Sequence, residues 1–190
     1  MTDLKKKYQN EVIPAMKKTF GYKNDFTVPK LEKVVVNTGT GKWREDIKIV
    51  EQIEKDLTLI TGQKLQPTQA KNAIASFKTR KGMKIGFKVT LRGKRMYDFL
   101  TRLVNLAIPR TRDFRGINSG AVDSCGNLNL GVKEHIIFPE ISSEDVKNIF
   151  GFEVTVVTTA KNKKEALELF KLLGFPLRSA EFEPKSASEA

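Results

Sequence analysis

Residues 71–95, KNAIASFKTRKGMKIGFKVTLRGKR, hold nine Lys or Arg and no Asp or Glu. Ammonium and guanidinium groups at this density, with no carboxylate to neutralise them, suit charge-assisted hydrogen bonding to the phosphates of a polyanion. The wider window from Leu57 to Arg115 has fourteen basic residues against two acidic ones, Asp98 and Asp113. Its net of +12 equals that of the whole chain, because the other 131 residues carry twenty of each sign. The charge is a local feature and not a general aid to solubility. Readout of a nucleic acid also needs neutral polar groups beside the cations. Asn37 is a short amide near the end of a strand-like run, with Lys33 on its own face. It can address base edges or 2′-hydroxyls, or bond its own turn before Gly39.

Bond-making chemistry is poorly represented. His135 is the single histidine and reads as a surface or loop residue. Cys125 is the single cysteine, without a CxxC partner or a cluster of ligands, so neither a metal site nor an internal disulfide is expected. Gly39-Thr40-Gly41-Lys42 resembles a phosphate loop, but Val36 and Trp43 stand where the Walker pattern needs Gly and Ser or Thr. A metal-dependent nuclease wants carboxylates where the phosphate sits. Between Asp56 and Asp98 there are none. An enzyme is the weaker class.

These residues need a scaffold, and the chain is long enough for one domain over residues 1–177, followed by a Ser-, Ala- and Glu-rich tail over 178–190 expected to be loosely ordered. No run approaches the roughly 18 apolar residues of a membrane span. Lys5, Lys6 and Lys7 are not followed by the apolar core of a secretory signal. The lone cysteine fits a reducing, cytoplasmic setting.

Helical periodicity predicts helices over 3–20, kinked at Pro14 and stopped at Gly21, over 46–60, over 94–107 ahead of Pro109, over 143–150, and from Asn162 to Gly174. Alternation predicts strands over 30–39, 128–133 and 152–159, with a short edge strand around Pro67. In the strand over 85–91, Ile85, Phe87, Val89 and Leu91 face inward. Gly86, Lys88, Thr90 and Arg92 face outward, and Gly86 allows another backbone to come close. Residues 70–82 read as a mobile basic loop, and 110–127 as a long connection bearing Arg110, Arg112 and Arg115. The fold class is α+β: two layers, a largely antiparallel sheet with helices on one face and an RNA-binding face plus basic loop on the other.

Seven blocks in order carry a family likeness: PKLEKVVVN (29–37), LTLITGQK (57–64), FKTRKGMKIGFKVTLRGKRMYDFL (77–100), PRTRDFRG (109–116), IFPEI (137–141), VTTAK (157–161) and LLGFP (172–176). Together they resemble the bacterial 5S-rRNA-binding ribosomal protein, family five of the large subunit. The resemblance implies a non-enzymatic protein in the central protuberance of the cytoplasmic ribosome, with no cofactor. The partners implied are 5S rRNA, 23S rRNA, the P-site tRNA, a small-subunit head protein and other central-protuberance proteins. It places Lys33, Asn37, Gln63, Lys64, Thr90 and Arg92 at the 5S rRNA surface. Ser76, Lys78, Thr79, Arg80, Lys81 and Gly82 fall in the loop that reaches the tRNA, and Arg110, Arg112, Arg115 and Glu140 near the intersubunit bridge. The chain departs from the family pattern at Thr38–Trp43, where a Met-Gly-Val-Gly-type run is usual, and at Cys125.

Two other classes remain open. A free single-strand RNA-binding module on a four-stranded sheet stacks bases on paired aromatics. The outward positions Gly86, Lys88 and Thr90 provide none. A nucleic-acid-processing enzyme would show nuclease or ATPase activity.

Overall fold

The structure is a computed structural model and describes residues 4–43, 46–141 and 148–178. Among these residues five strands form one sheet in the order β2-β3-β1-β5-β4, with every neighbouring pair antiparallel. They are β1 (Leu31–Gly39), β2 (Gln66–Gln69), β3 (Lys84–Leu91), β4 (Leu128–Val132) and β5 (Phe152–Thr158). The expected α+β class is what forms. Period-two alternation puts Val34 and Val36, Phe87, Val89 and Leu91, and Val154 and Val156 on the buried side. The short strand around Pro67 is at the edge, where a missing N–H costs no ladder bond.

The helices that cover the buried side are α1 (residues 4–20), α2 (Ile47–Thr61), α3 (residues 93–110) and α4 (Lys163–Leu173). Their stripes meet the strands in one core, for example Met16, Ile53, Leu57, Phe99, Leu100, Leu103 and Phe170. Gly21, Gly62 and Gly174 end three of them in the left-handed conformation that side chains avoid.

Pro109 does not end α3 as expected; the helix runs on to Arg110. The turn Leu103–Ala107 ahead of the Ile108-Pro109 step is widened to π-helix, with the Ile108 N–H donating to the Leu103 carbonyl. Pro14 is accommodated alike, after the π-helical Tyr8–Val12 and with the Ile13 N–H donating to the Tyr8 carbonyl. A proline ring clashes with the carbonyl four residues back, and widening the turn moves that carbonyl aside. The same device thus lets two helices pass a proline.

Two expected loops are organised. Residues 70–82 close through Ala70 N–H to Met83 carbonyl (2.9 Å) and Gly82 N–H to Ala70 carbonyl (3.0 Å), with a 3-10 turn Ala75–Phe77 at the tip. Residues 110–127 are pinned by buried Ile117 and Val122. Ile117 donates its N–H to the Pro176 carbonyl (2.8 Å), and the Arg178 N–H donates to the Ile117 carbonyl (2.8 Å). Asp123 accepts from the Asn127 N–H (2.7 Å) and side-chain amide (3.0 Å), which holds its carboxyl below the usual range. Most of the helix expected over 143–150, and the tail after Arg178, lie outside the described residues.

His135 also departs from expectation. It is fully buried, its ring stacked on Phe150 at 4.0 Å. Nδ1 accepts from the Phe150 N–H (3.5 Å), and Nε2 lies 3.6 Å from Asp56 Oδ2. Burial lowers the imidazole pKa and raises that of Asp56, so the ring is a neutral core group away from the exposed face.

Candidate nucleic-acid interface

The side of the sheet away from the helices is open, and register lays its residues out in rows. One row runs Gln66, Lys88, Asn37, Glu153, Gly131 across β2, β3, β1, β5 and β4. The next runs Thr90, Val35, Thr155, Asn129. Asn37, Lys88 and Thr90 are exposed and Lys33 is half-buried. Asn37 does not cap its own turn, which is closed by the Thr40 N–H donating to the Ile85 carbonyl (2.9 Å). Glu153 sits beside Asn37, so the cationic part of the face lies on β3 and β1, with Lys64 just ahead of β2.

Gln63 precedes β2 and joins this corner through its side chain. Its Nε2 donates to the Thr90 carbonyl (3.2 Å), and its Oε1 accepts from Arg95 Nη1 (3.4 Å). Lys64 beside it is exposed. Glu32 is shared by Arg92 (3.4 Å) and Lys33 (3.9 Å). Exposed pairs of this kind contribute roughly 0–1 kcal/mol, so an arriving phosphate can replace the carboxylate. The structure therefore gathers Lys33, Gln63, Thr90 and Arg92 toward the Leu31 end of β1 and the Leu91 end of β3, with Lys64 adjoining, while Asn37 lies on the same face toward the Gly39 end of β1, opposite Lys88. Sequence reasoning omitted Lys88 and Arg95 from that group. Alternation already put Lys88 outward; Arg95 is linked only through Gln63, a contact that spacing does not encode.

The loop carrying Ser76, Lys78, Thr79, Arg80, Lys81 and Gly82 leaves the other end of the β2–β3 hairpin, beyond the Gln69–Lys84 pair. Ile74 and Thr79 bridge its tip, Lys78 adopts φ 48°, and all of its cations are exposed. It also presents Ile74 and Phe77 to solvent.

The four residues placed near the bridge are not one cluster. Arg112 and Arg115 line a cleft of about 480 Å³ with Lys133, a residue the sequence reading omitted. Arg110 is exposed at the end of α3. Glu140 turns away to pair with Arg102, whose Nη2 donates to the Ile60 carbonyl (3.0 Å). Among the described residues no group of His, Cys, Asp and Glu could hold a metal ion, and no helix is long and apolar enough to cross a membrane.

The described residues form an α+β sandwich with one open polar face, a basic hairpin loop and the histidine in the core, and no catalytic constellation is assembled among them. The comparisons with known proteins narrow the class. The family model for the C-terminus of ribosomal protein L5 matches residues 84–177, and that of ribosomal protein L5 itself matches residues 24–80. Proteins named large ribosomal subunit protein uL5 are similar along almost their whole length. That of Thermus aquaticus is 54% identical over 92% of this chain and 96% of its own. That of Thermoanaerobacter sp. is 52% identical over 93% and 98%, and that of Desulforapulum autotrophicum 51% over 94% and 100%. The chain belongs to the ribosomal protein L5 family, whose members are structural, non-enzymatic constituents of the large ribosomal subunit, in the cytoplasm in bacteria.

Proposed function

We propose that this protein binds 5S rRNA through the open face of β1, β2 and β3 and so anchors it in the central protuberance beside 23S rRNA and neighbouring proteins. The observation that carries this reading is that strand pairing lays β1, with Lys33 and Asn37, alongside β3, with Lys88 and Thr90 and with Gln63 and Arg92 at its Thr90 corner, so that one face joins these polar groups to the 57–115 segment that holds the chain's net charge. Lysines and arginines supply salt-sensitive attraction to phosphates, while amide and hydroxyl groups fix register. The shallow minor groove of A-form RNA offers 2′-hydroxyls and base edges to Asn37 and Thr90. Gln63 acts by holding Arg95 against the same corner. Residues 1–177 act as one RNA-binding domain, and the tail over 178–190 stands outside it.

Asn37→Ala and Thr90→Ala should each weaken 5S rRNA binding by about 1–3 kcal/mol with the folded protein unchanged, since both side chains are exposed. Filter binding at matched salt tests this; unchanged affinity in both variants removes the sheet face from the site.

The Ser76–Gly82 loop serves a second RNA, the P-site tRNA, because it projects from the opposite end of the hairpin with cations that no described carboxylate pairs. Replacing Lys78, Arg80 and Lys81 with Ala should leave 5S rRNA affinity within about twofold, as exposed charges remote from a contact add little. The same variant should weaken tRNA binding to the P site of assembled ribosomes. Equal collapse of 5S rRNA binding would put the loop in the primary site. The cleft with Arg112 and Arg115, together with Arg110, forms the bridge to the small-subunit head protein, and Glu140 positions its neighbouring segment through Arg102.

A further inference from the structure

The turn between α1 and β1 presents the most exposed large apolar side chain among the described residues. Phe26 is 92% exposed. Such a ring usually folds back onto the protein, yet here three polar contacts hold the turn that displays it. Asn24 Oδ1 accepts from the Phe26 N–H (3.0 Å), and Thr27 Oγ1 donates to the Asn24 carbonyl (2.6 Å). Lys17 Nζ pairs with Asp25 Oδ1 at 2.5 Å. Val28 and Pro29 then turn inward, which anchors the turn from the other side.

Beside the turn, with Asn24 and Thr27 in its wall, is a cleft of about 360 Å³ lined also by Tyr22, Lys23, Thr159, Lys161 and Glu165. Lys23 and Lys161 are exposed at its mouth. Thr159 Oγ1 accepts from the Lys30 N–H (3.0 Å), which leaves its own proton free to donate. Glu165 accepts from the Lys161 N–H (3.1 Å) and lies by Tyr22, whose phenol is pushed up to about 12 by burial and by that carboxylate. The floor therefore offers a neutral phenol and an acceptor and repels phosphate, while the mouth attracts it. Residues 4–30 carry seven basic and two acidic side chains, so the surroundings favour a polyanion. A protein pocket for Phe26 would call for a mainly apolar surround; apart from the Tyr22 ring and Pro29, the side chains lining the adjoining cleft are polar or charged.

We infer that this turn and cleft form a second RNA contact, in which an unpaired nucleobase stacks on Phe26, its ribose hydroxyls enter the cleft and the flanking phosphates lie on Lys23 and Lys161. Base-on-aromatic stacking tolerates any base, and the 2′-hydroxyl finds an acceptor in Glu165. The contact is distinct from the Asn37 part of the one proposed on the sheet, because Lys30 and Thr159 lie at the Leu31–Thr158 end of the β1–β5 pair, nearer Lys33, and Asn37 at the other.

Phe26→Trp provides the probe, with the wild-type protein and its single Trp43 as background. The fluorescence of the introduced indole should be quenched by a short single-stranded oligoribonucleotide and not by a blunt duplex RNA of the same length. Phe26→Ala should bind that single strand roughly tenfold more weakly at matched salt. Lys23→Ala with Lys161→Ala should also weaken it and flatten its salt dependence. In the full-length protein carrying Phe26→Trp together with Asn37→Ala and Thr90→Ala the quench should persist, so failure of the sheet-face reading leaves this one standing. No quench, equal quench by the duplex, or unaltered affinity of Phe26→Ala would overturn the inference. So would ribosomes carrying Phe26→Ala that lose a neighbouring protein while single-strand binding is unchanged, since Phe26 would then serve a protein.

Discussion

Gly86→Val is expected to lower the stability of the protein by about 3 kcal/mol, a large share of what holds a domain of this size together. Gly86 lies in β3 between β2 and β1, opposite Thr68 on one side and Gly39 on the other. A Cβ placed there would stand 2.5 Å from the Thr38 carbonyl oxygen and 2.9 Å from Thr68 Oγ1. The threonine side chain can rotate away, but the carbonyl cannot. Thr38 is fixed by its ladder partner Phe87 and by its own hydroxyl, which donates to the Gly151 carbonyl at 2.9 Å. Relief must come from separating β3 from β1, which pulls Thr90 away from the Lys33–Asn37 face. Affinity for 5S rRNA should fall along with stability. Gly131→Val is the control: Gly131 is exposed on the edge strand β4, with nothing within 4 Å of an added Cβ, and should change stability by no more than about 0.5 kcal/mol. Denaturant unfolding decides the matter, and a wild-type midpoint for Gly86→Val would refute the close approach.

That close approach is one of the features legible before any coordinates. The Gly86 position within an otherwise regular alternation already marked a place where another backbone comes near, because a strand surrenders side-chain packing there for no local gain. Alternation also fixed the inward and outward sets of β1, β3 and β5, since a one-residue slip would invert every side chain. The cationic segment was visible from counting alone, as charge needs no fold to be located in the chain.

Other features depended on contacts between distant residues. Pro109 was expected to stop α3 because interior proline removes a hydrogen bond and crowds the preceding turn. The packing of Leu103, Val104, Ala107 and Ile108 in the core stabilises the continued helix, and a π-turn makes the room. His135 carries no sign in its neighbours that Phe150 and Asp56, 15 and 79 positions away, will enclose it. Polar residues are usually exposed, and here burial required two long-range partners. The segment departing from the family pattern at Thr38–Trp43 has a similar explanation. Thr38 and Thr40 are buried, and the Thr38 hydroxyl is satisfied by Gly151, 113 positions further along. The family resemblance groups Glu140 with the arginines, whereas its Oε1 is paired with Arg102 on α3. Local pattern predicts faces; it does not predict which distant group meets a given side chain.

Phe138→Ala should destabilise the protein by about 3–5 kcal/mol and do so from the side of the molecule away from the open face. The ring is fully buried, stacked on Phe99 of α3 at 5.9 Å and 14° and tilted against Phe152 of β5 at 5.9 Å. Its backbone ties two turns together, the N–H donating to the His135 carbonyl and the carbonyl accepting from the Ile141 N–H, each at 3.2 Å. Removing the ring opens a cavity between helix and sheet and frees the segment that carries Glu140, so the Arg102 pair loses its fixed partner. Phe138→Leu keeps most of the volume and should cost less than half as much. The edge strand β4 and the cleft with Arg112, Arg115 and Lys133 adjoin this segment, whereas Asn37 and Thr90 face the other way. At temperatures where Phe138→Ala remains folded, 5S rRNA affinity should therefore stay within about twofold of wild type while subunit joining weakens, an effect of local loosening. Denaturant unfolding gives the first quantity, filter binding the second, and sedimentation of ribosomes carrying the variant the third. A stability loss below about 1 kcal/mol would mean that the aromatic stack does not hold this segment in place. A folded variant that lost 5S rRNA binding as severely as Asn37→Ala would mean that the two sides of the protein are coupled through the sheet.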